Sequence, residues 1–128
     1  MSLQTPLSKV QDLGSAGNAV HHWCVQRLTS VALVPLAVWL LVSLMTLPSL
    51  DFVTLVSWIA GTWTATLLTL FVIIASWHSS LGVQVVLEDY VHDHGLKTVS
   101  LVLSGFVHAL LGALGVFAVL RIAFGSPL

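Results

Sequence analysis

Charge is what this sequence has least of. Lysine and arginine number 4 and aspartate and glutamate 5, so charged residues make up 7% of the 128 residues and the formal net charge is −1. The cations are scattered at Lys9, Arg27, Lys97 and Arg121, which excludes a basic patch of the kind that binds nucleic acid. Cysteine is nearly absent too. Cys24 stands alone, so no internal disulfide and no thiolate metal cluster can form, and its plainest role is that of a small buried hydrophobe. No internal repeat or low-complexity run marks a linker or a second domain, so residues 1–128 are read as one unit. The opening stretch lacks the basic start and apolar centre of a secretory signal, and residues 1–20 are expected to be a retained polar tail.

Apolar residues are present in excess: they make up 57% of the chain, and the mean hydropathy is +1.01. That is far above a soluble domain of this size, so the expected fold class is an all-α integral membrane protein. Asn18 is placed to cap a helix starting near Ala19. The run from Leu28 to Leu47 is apolar, small or hydroxylated throughout, enough to cross a hydrocarbon core of about 30 Å. Pro35 within it removes one backbone donor, which membrane helices tolerate when neighbours compensate.

Phe52 to Leu87 contains no charged residue. A helix of that length would measure about 54 Å at ~1.5 Å per residue, too long for one crossing. Gly61 is the natural division: Phe52 to Ala60 forms a short interfacial segment, and a second span runs over 62–87, with Trp58 and Trp63 in the aromatic belt. A third span follows the polar connection Asp93 to Lys97 and covers about 98–122. Its Gly105, Ala109, Gly112, Ala113 and Gly115 allow close helix approach. Three spans put Lys9, Arg27 and Lys97 on one side and Arg121 on the other, an asymmetry that predicts a cytoplasmic N-terminus.

The stretch from Trp77 to His92 joins burial to polarity. On a helix, His78, Gly82, Val85 and Asp89 form one stripe that must face protein or a ligand. His78 lies about 16 Å from Asp89 along such a helix, near the bilayer midplane, where an imidazole is costly unless paired. Three readings compete: a haem ligand, a proton relay, or a histidine hydrogen-bonded to a neighbouring helix. Gly82 clears space on the same face for a flat group or a close helix. Ser79 and Ser80 are expected to bond back to their own helix. Arg27 is either an interfacial anchor or the partner of an anion such as a haem propionate. Asp89 and Tyr90 are either a helix-end anchor and a belt tyrosine, or a donor pair for a quinone carbonyl. His108 is at nearly the depth of His78, so an intrachain bis-histidine haem is conceivable, although a histidine satisfied by helix packing is the preferred reading. His92 and His94, in a polar loop, read as solvated rather than metal-bound.

Two motifs carry a family resemblance. His21-His-Trp-Cys-Val-Gln-Arg-Leu-Thr-Ser precedes the first span, and His78-Ser-Ser-Leu-Gly-Val-Gln-Val-Val-Leu-Glu-Asp-Tyr-Val closes the second. Over nearly its whole length the chain resembles the smaller of the two hydrophobic membrane anchors of succinate dehydrogenase (respiratory complex II). The resemblance implies that His78 is an axial iron ligand of a haem b whose second ligand comes from the larger membrane anchor. It further implies that Tyr90 hydrogen-bonds ubiquinone with Asp89 as its acidic neighbour, and that Arg27 lies near the haem propionates and the quinone. His21 and His22 match a polar pair of unassigned role, and His108 matches no ligand position. No residue of this chain is implied to be catalytic by itself. FAD and iron–sulfur clusters belong to the partner flavoprotein and iron–sulfur subunits, and the implied location is the bacterial inner membrane, ahead of the mitochondrial one. Some relatives lack haem and would not need His78. The competing class is a haem-free membrane scaffold or a small homo-oligomeric transporter using His78 and Asp89 as a proton or cation path.

Overall fold

A computed structural model describes residues 14–125 as four helices: α1 (Gly14–Thr46), α2 (Phe52–Ala60), α3 (Thr62–Tyr90) and α4 (His94–Phe124). Within them, Val20–Thr46, Thr62–Tyr90 and His94–Phe124 are each long and apolar enough to cross a membrane. The chain is therefore an all-α integral membrane protein with three spans and a short helix before the second.

The short helix starts and stops for local reasons. Asp51 caps α2, its carboxylate accepting from the Thr54 backbone N–H at 3.1 Å and from the Thr54 hydroxyl at 2.7 Å, with a further bond from the Ser49 hydroxyl. These donors hold the Asp51 carboxyl at about 2, below its ordinary 3.8, because each stabilises the ionised form. At the other end Gly61 leaves the helical conformation, at φ −62° and ψ 131°, while its N–H bonds back to the Trp58 carbonyl. α3 begins at the next residue. Trp58 is not a free belt residue: its ring stacks on Trp39 of α1 at 6.2 Å with 21° between the planes. Trp63 is exposed.

The helices run past the apolar stretches that predict them. α3 continues through Glu88 and Asp89 to Tyr90, and α4 starts at His94, capped by Asp93, whose side chain accepts from Leu96 N at 2.7 Å. Polar ends extend the backbone ladder beyond the hydrocarbon without penalty, so apolar length underestimates helix length. Lys97 ties the two ends together by donating to the Glu88 carbonyl at 2.9 Å. At the start of the chain, α1 already runs at Gly14, so Asn18 lies inside a helix instead of capping one. Of the expected polar tail, 1–13 fall outside the described residues, Lys9 among them, and 14–20 are helical. α1 also runs through Pro35 without ending.

The three long helices stand in a row. α3 packs on both α1 and α4, while α1 and α4 make no close backbone approach. α4 comes nearest to α3 at two glycines: a β-carbon on Gly112 would meet the Ser76 hydroxyl at 3.1 Å, and one on Gly115 would meet Val72 Cγ1 at 2.7 Å. Such contacts suit a membrane, where helix association rests on van der Waals packing and interhelical hydrogen bonds. Among the described side chains only Thr29, Leu36 and Ala65 are buried. Cys24, expected inside, is exposed, since a row of helices has little interior to offer.

Candidate functional site

His78 meets α1. Its Nδ1 lies 2.9 Å from the hydroxyl of Thr29, and its Nε2 lies 3.5 Å from the side-chain nitrogen of Gln26. The Thr29 hydroxyl is also within 2.9 Å of the Val25 carbonyl and 3.0 Å of the Gln26 carbonyl. Giving its single proton to its own helix, as a helical threonine ordinarily does, makes it an acceptor towards the imidazole and assigns the ring proton to Nδ1. Nε2 keeps its lone pair. The only neighbour there is the Gln26 amide, at the outer limit of a hydrogen bond.

Around His78 lie polar atoms without partners. His22 Nε2 and Gln26 Oε1 are enclosed yet have no hydrogen-bond partner among the described residues. With Thr29 they recur at intervals of four and three residues, which places them on one stripe of α1. Gly82, one turn from His78, faces this stripe; a β-carbon there would find only Gln26 Nε2, at 3.7 Å. The approach of α1 to α3 therefore does not itself demand a glycine. An imidazole with one nitrogen anchored and the other only weakly engaged, beside a glycine and unpaired polar atoms, is a donor set compatible with a haem. Among the described residues no group of three or more histidine, cysteine or acidic side chains could hold a bare metal ion.

His108 differs. Its Nδ1 donates to the Ser104 carbonyl at 2.8 Å and its Nε2 accepts from the Ser79 hydroxyl at 3.1 Å. Both ring nitrogens are used within the protein, and Ser79 is spent on α4 rather than on its own helix as expected. His108 lines an open cavity of about 440 Å³ between α3 and α4, shared with Ser76, Trp77, Ser80, Gly105 and Gly112 but not with His78. His78 bonds to α1 while His108 bonds to Ser79 and to its own helix, so the two histidines are engaged on different sides of α3 and no shared cavity joins them among the described residues, which speaks against an intrachain bis-histidine site.

The remaining candidates are not brought together: Arg27 lies between Gln26 and Thr29, at the level of His78, whereas Asp89 and Tyr90 close α3. Arg27 is exposed, its guanidinium 5.4 Å over the Trp23 ring, a cation–π contact one helical turn back. Asp89 is exposed, and Tyr90 is 78% exposed at the last residue of α3. Among the described residues little covers Tyr90, so most of its ring is open to a partner from outside. Gln26 and Thr29 were not singled out from the sequence. Their signal was present as polar residues at helical spacing with His22, and it points at α3 only once the rotation of α1 is known.

Residues 1–119 match the family described as succinate dehydrogenase/fumarate reductase transmembrane subunit. The chain belongs to that family. Among similar curated proteins are the succinate dehydrogenase hydrophobic membrane anchor subunits of Rickettsia conorii, 31% identical over 96 residues covering 74% of this chain and 76% of the relative, and of Rickettsia bellii, 34% identical over 90 residues covering 70% and 71%. No solved structure matches.

Proposed function

We propose that this subunit anchors a succinate:ubiquinone oxidoreductase in the bacterial inner membrane, with its N-terminus cytoplasmic, and that it supplies one axial ligand to a haem b. The observation that carries the reading is the pair of bonds at His78: Nδ1 is secured by Thr29, and Nε2 is left with a lone pair and only a weak neighbour. The second ligand would come from the larger membrane anchor of the complex. Bound there, haem b supplies a one-electron carrier inside the membrane. This chain's own groups do the rest: His78 holds the iron, Gly82 keeps room for the macrocycle, and His22, Gln26 and Arg27 offer polar partners at the end where propionates would emerge. Three helices in a row cannot wall a haem from lipid, which supports a site shared between two chains.

Tyr90 is placed to donate its phenolic proton to a ubiquinone carbonyl at the membrane boundary, with Asp89 beside it to take part in proton supply as the quinone is reduced. Electrons would arrive from succinate through the FAD and the iron–sulfur clusters of the partner flavoprotein and iron–sulfur subunits. Lys97, which donates to the Glu88 carbonyl, shares the Tyr90 end of the row and supports a cytoplasmic assignment for it.

The test is the reduced-minus-oxidised visible spectrum of the complex purified through this subunit. A b-type haem band that disappears in His78→Ala and persists in His108→Ala is expected. The reverse pattern, or purification without redox subunits and without haem absorbance, overturns the reading in favour of a haem-free scaffold or transporter.

A further inference from the structure

We infer that Thr29 is a positioning residue for His78, fixing the imidazole tautomer and ring plane so that Nε2 is the nitrogen offered to iron. The inference rests on the reading of His78 as the haem ligand and adds a second residue to it. Thr29 is the one buried polar side chain among the described residues, 6% exposed. A threonine in an apolar helix ordinarily returns its proton to a carbonyl one turn back, and this one does so, with Val25 and Gln26 as acceptors at 2.9 and 3.0 Å. What remains on its oxygen is acceptor capacity, directed across to α3 at His78 Nδ1, 2.9 Å away.

That geometry has three consequences. A neutral imidazole has one proton, and a good acceptor at Nδ1 draws it there, leaving Nε2 as the base. A hydrogen bond to the far nitrogen limits rotation of the ring about its bond to Cβ, so the lone pair keeps one direction. Donation from Nδ1–H to an oxygen also raises the basicity of the ligating nitrogen, which favours the ferric over the ferrous state. Ser30, the next residue, supplies an internal control. Its hydroxyl donates to the Gln26 carbonyl at 2.8 Å in the same manner, but it makes no bond to His78. The hydroxyl that matters is thus distinguished by position and not by type.

The experiment compares complexes carrying Thr29→Val, Thr29→Ser, Ser30→Ala and His78→Ala, reading haem retention on dilution, the haem reduction potential and the EPR signal of the ferric haem. Thr29→Val keeps the shape and loses the acceptor; it should weaken haem binding about 10-fold or more, raise the potential and alter the EPR signal. Thr29→Ser and Ser30→Ala should match the wild type in all three readouts. Wild-type values in Thr29→Val, with haem lost in His78→Ala, overturn the role of Thr29 while leaving His78 as ligand. Haem retained in His78→Ala overturns both. Pulsed EPR of wild-type and Thr29→Val complexes supplies a further measurement. The coupling of the exchangeable proton on the remote imidazole nitrogen should change when its acceptor is removed, and identical couplings overturn the inference.

Discussion

A β-carbon on Gly115 would stand 2.7 Å from Cγ1 of Val72, inside any real carbon–carbon contact, so α4 lies against α3 at a distance that only glycine permits. Gly115→Ala should therefore push the two helices apart or displace Val72, costing about 1 to 3 kcal/mol as overpacking does and lowering the thermal midpoint of the purified complex. Gly105→Ala is the matched control, since nothing stands within 4 Å of a β-carbon there. Equal midpoints for the two variants would show that this contact does not hold the helices. Trimming the opposing side chain with Val72→Ala should restore part of the loss in the double variant.

At the far end of α3 the expected effect is kinetic. Tyr90 is exposed, so Tyr90→Phe should leave folding intact and remove one hydrogen bond to the quinone. At about 0.5–1.5 kcal/mol for a neutral bond, succinate-to-quinone turnover falls roughly 2- to 10-fold. Electron transfer from succinate to an artificial flavin-level acceptor should persist. Unchanged quinone kinetics would remove Tyr90 from the site.

Asp51 predicts a pH dependence. Its carboxyl is held at about 2, below the ordinary 3.8, by donors from Ser49 and Thr54. A depressed carboxylate contributes its stabilisation fully above the unfolded value, and loses it as pH falls through the folded one. The α2 cap should thus be constant across neutral pH and weaken only as pH drops from about 3.8 towards about 2. Carboxyl carbon NMR of selectively labelled protein reads this directly, and a midpoint near the ordinary carboxylate value would show that the cap bonds do not form.

The Ser79 hydroxyl to His108 bond, 3.1 Å long, belongs to packing. Ser79→Ala should lower stability by about 1 kcal/mol, in keeping with interhelical hydrogen bonds in membranes, and leave the visible haem spectrum unaltered. Loss of the haem band in this variant would contradict the separation of the two histidines onto different sides of α3.

Much of the architecture can be read from residue order alone, and the reasons are specific. Gly61 interrupts an uncharged run too long for one crossing, and the polar stretch Asp93 to Lys97 separates the last two spans, although it reads as a connection where Asp93 in fact caps α4. Asn18 misleads because a good cap residue is also tolerated within a helix when the chain before it can extend the ladder. His78 was legible because a deep imidazole demands a partner. Thr29 and Gln26 were not, since a span that is apolar all round gives no moment to say which stripe faces α3. Cys24 fails for the related reason that burial in a membrane chain depends on neighbours the sequence does not contain.

The row of three helices is a folded polypeptide without an inside. Whatever distinguishes inner from outer positions on α1 and α4 is decided by the neighbouring subunit and by lipid, so tolerance to substitution along those two helices is a property of the assembly. A copy synthesised ahead of its partners keeps Thr29 buried and the unpaired atoms of His22 and Gln26 enclosed, so what this seam lacks before assembly is a polar partner and not a cover.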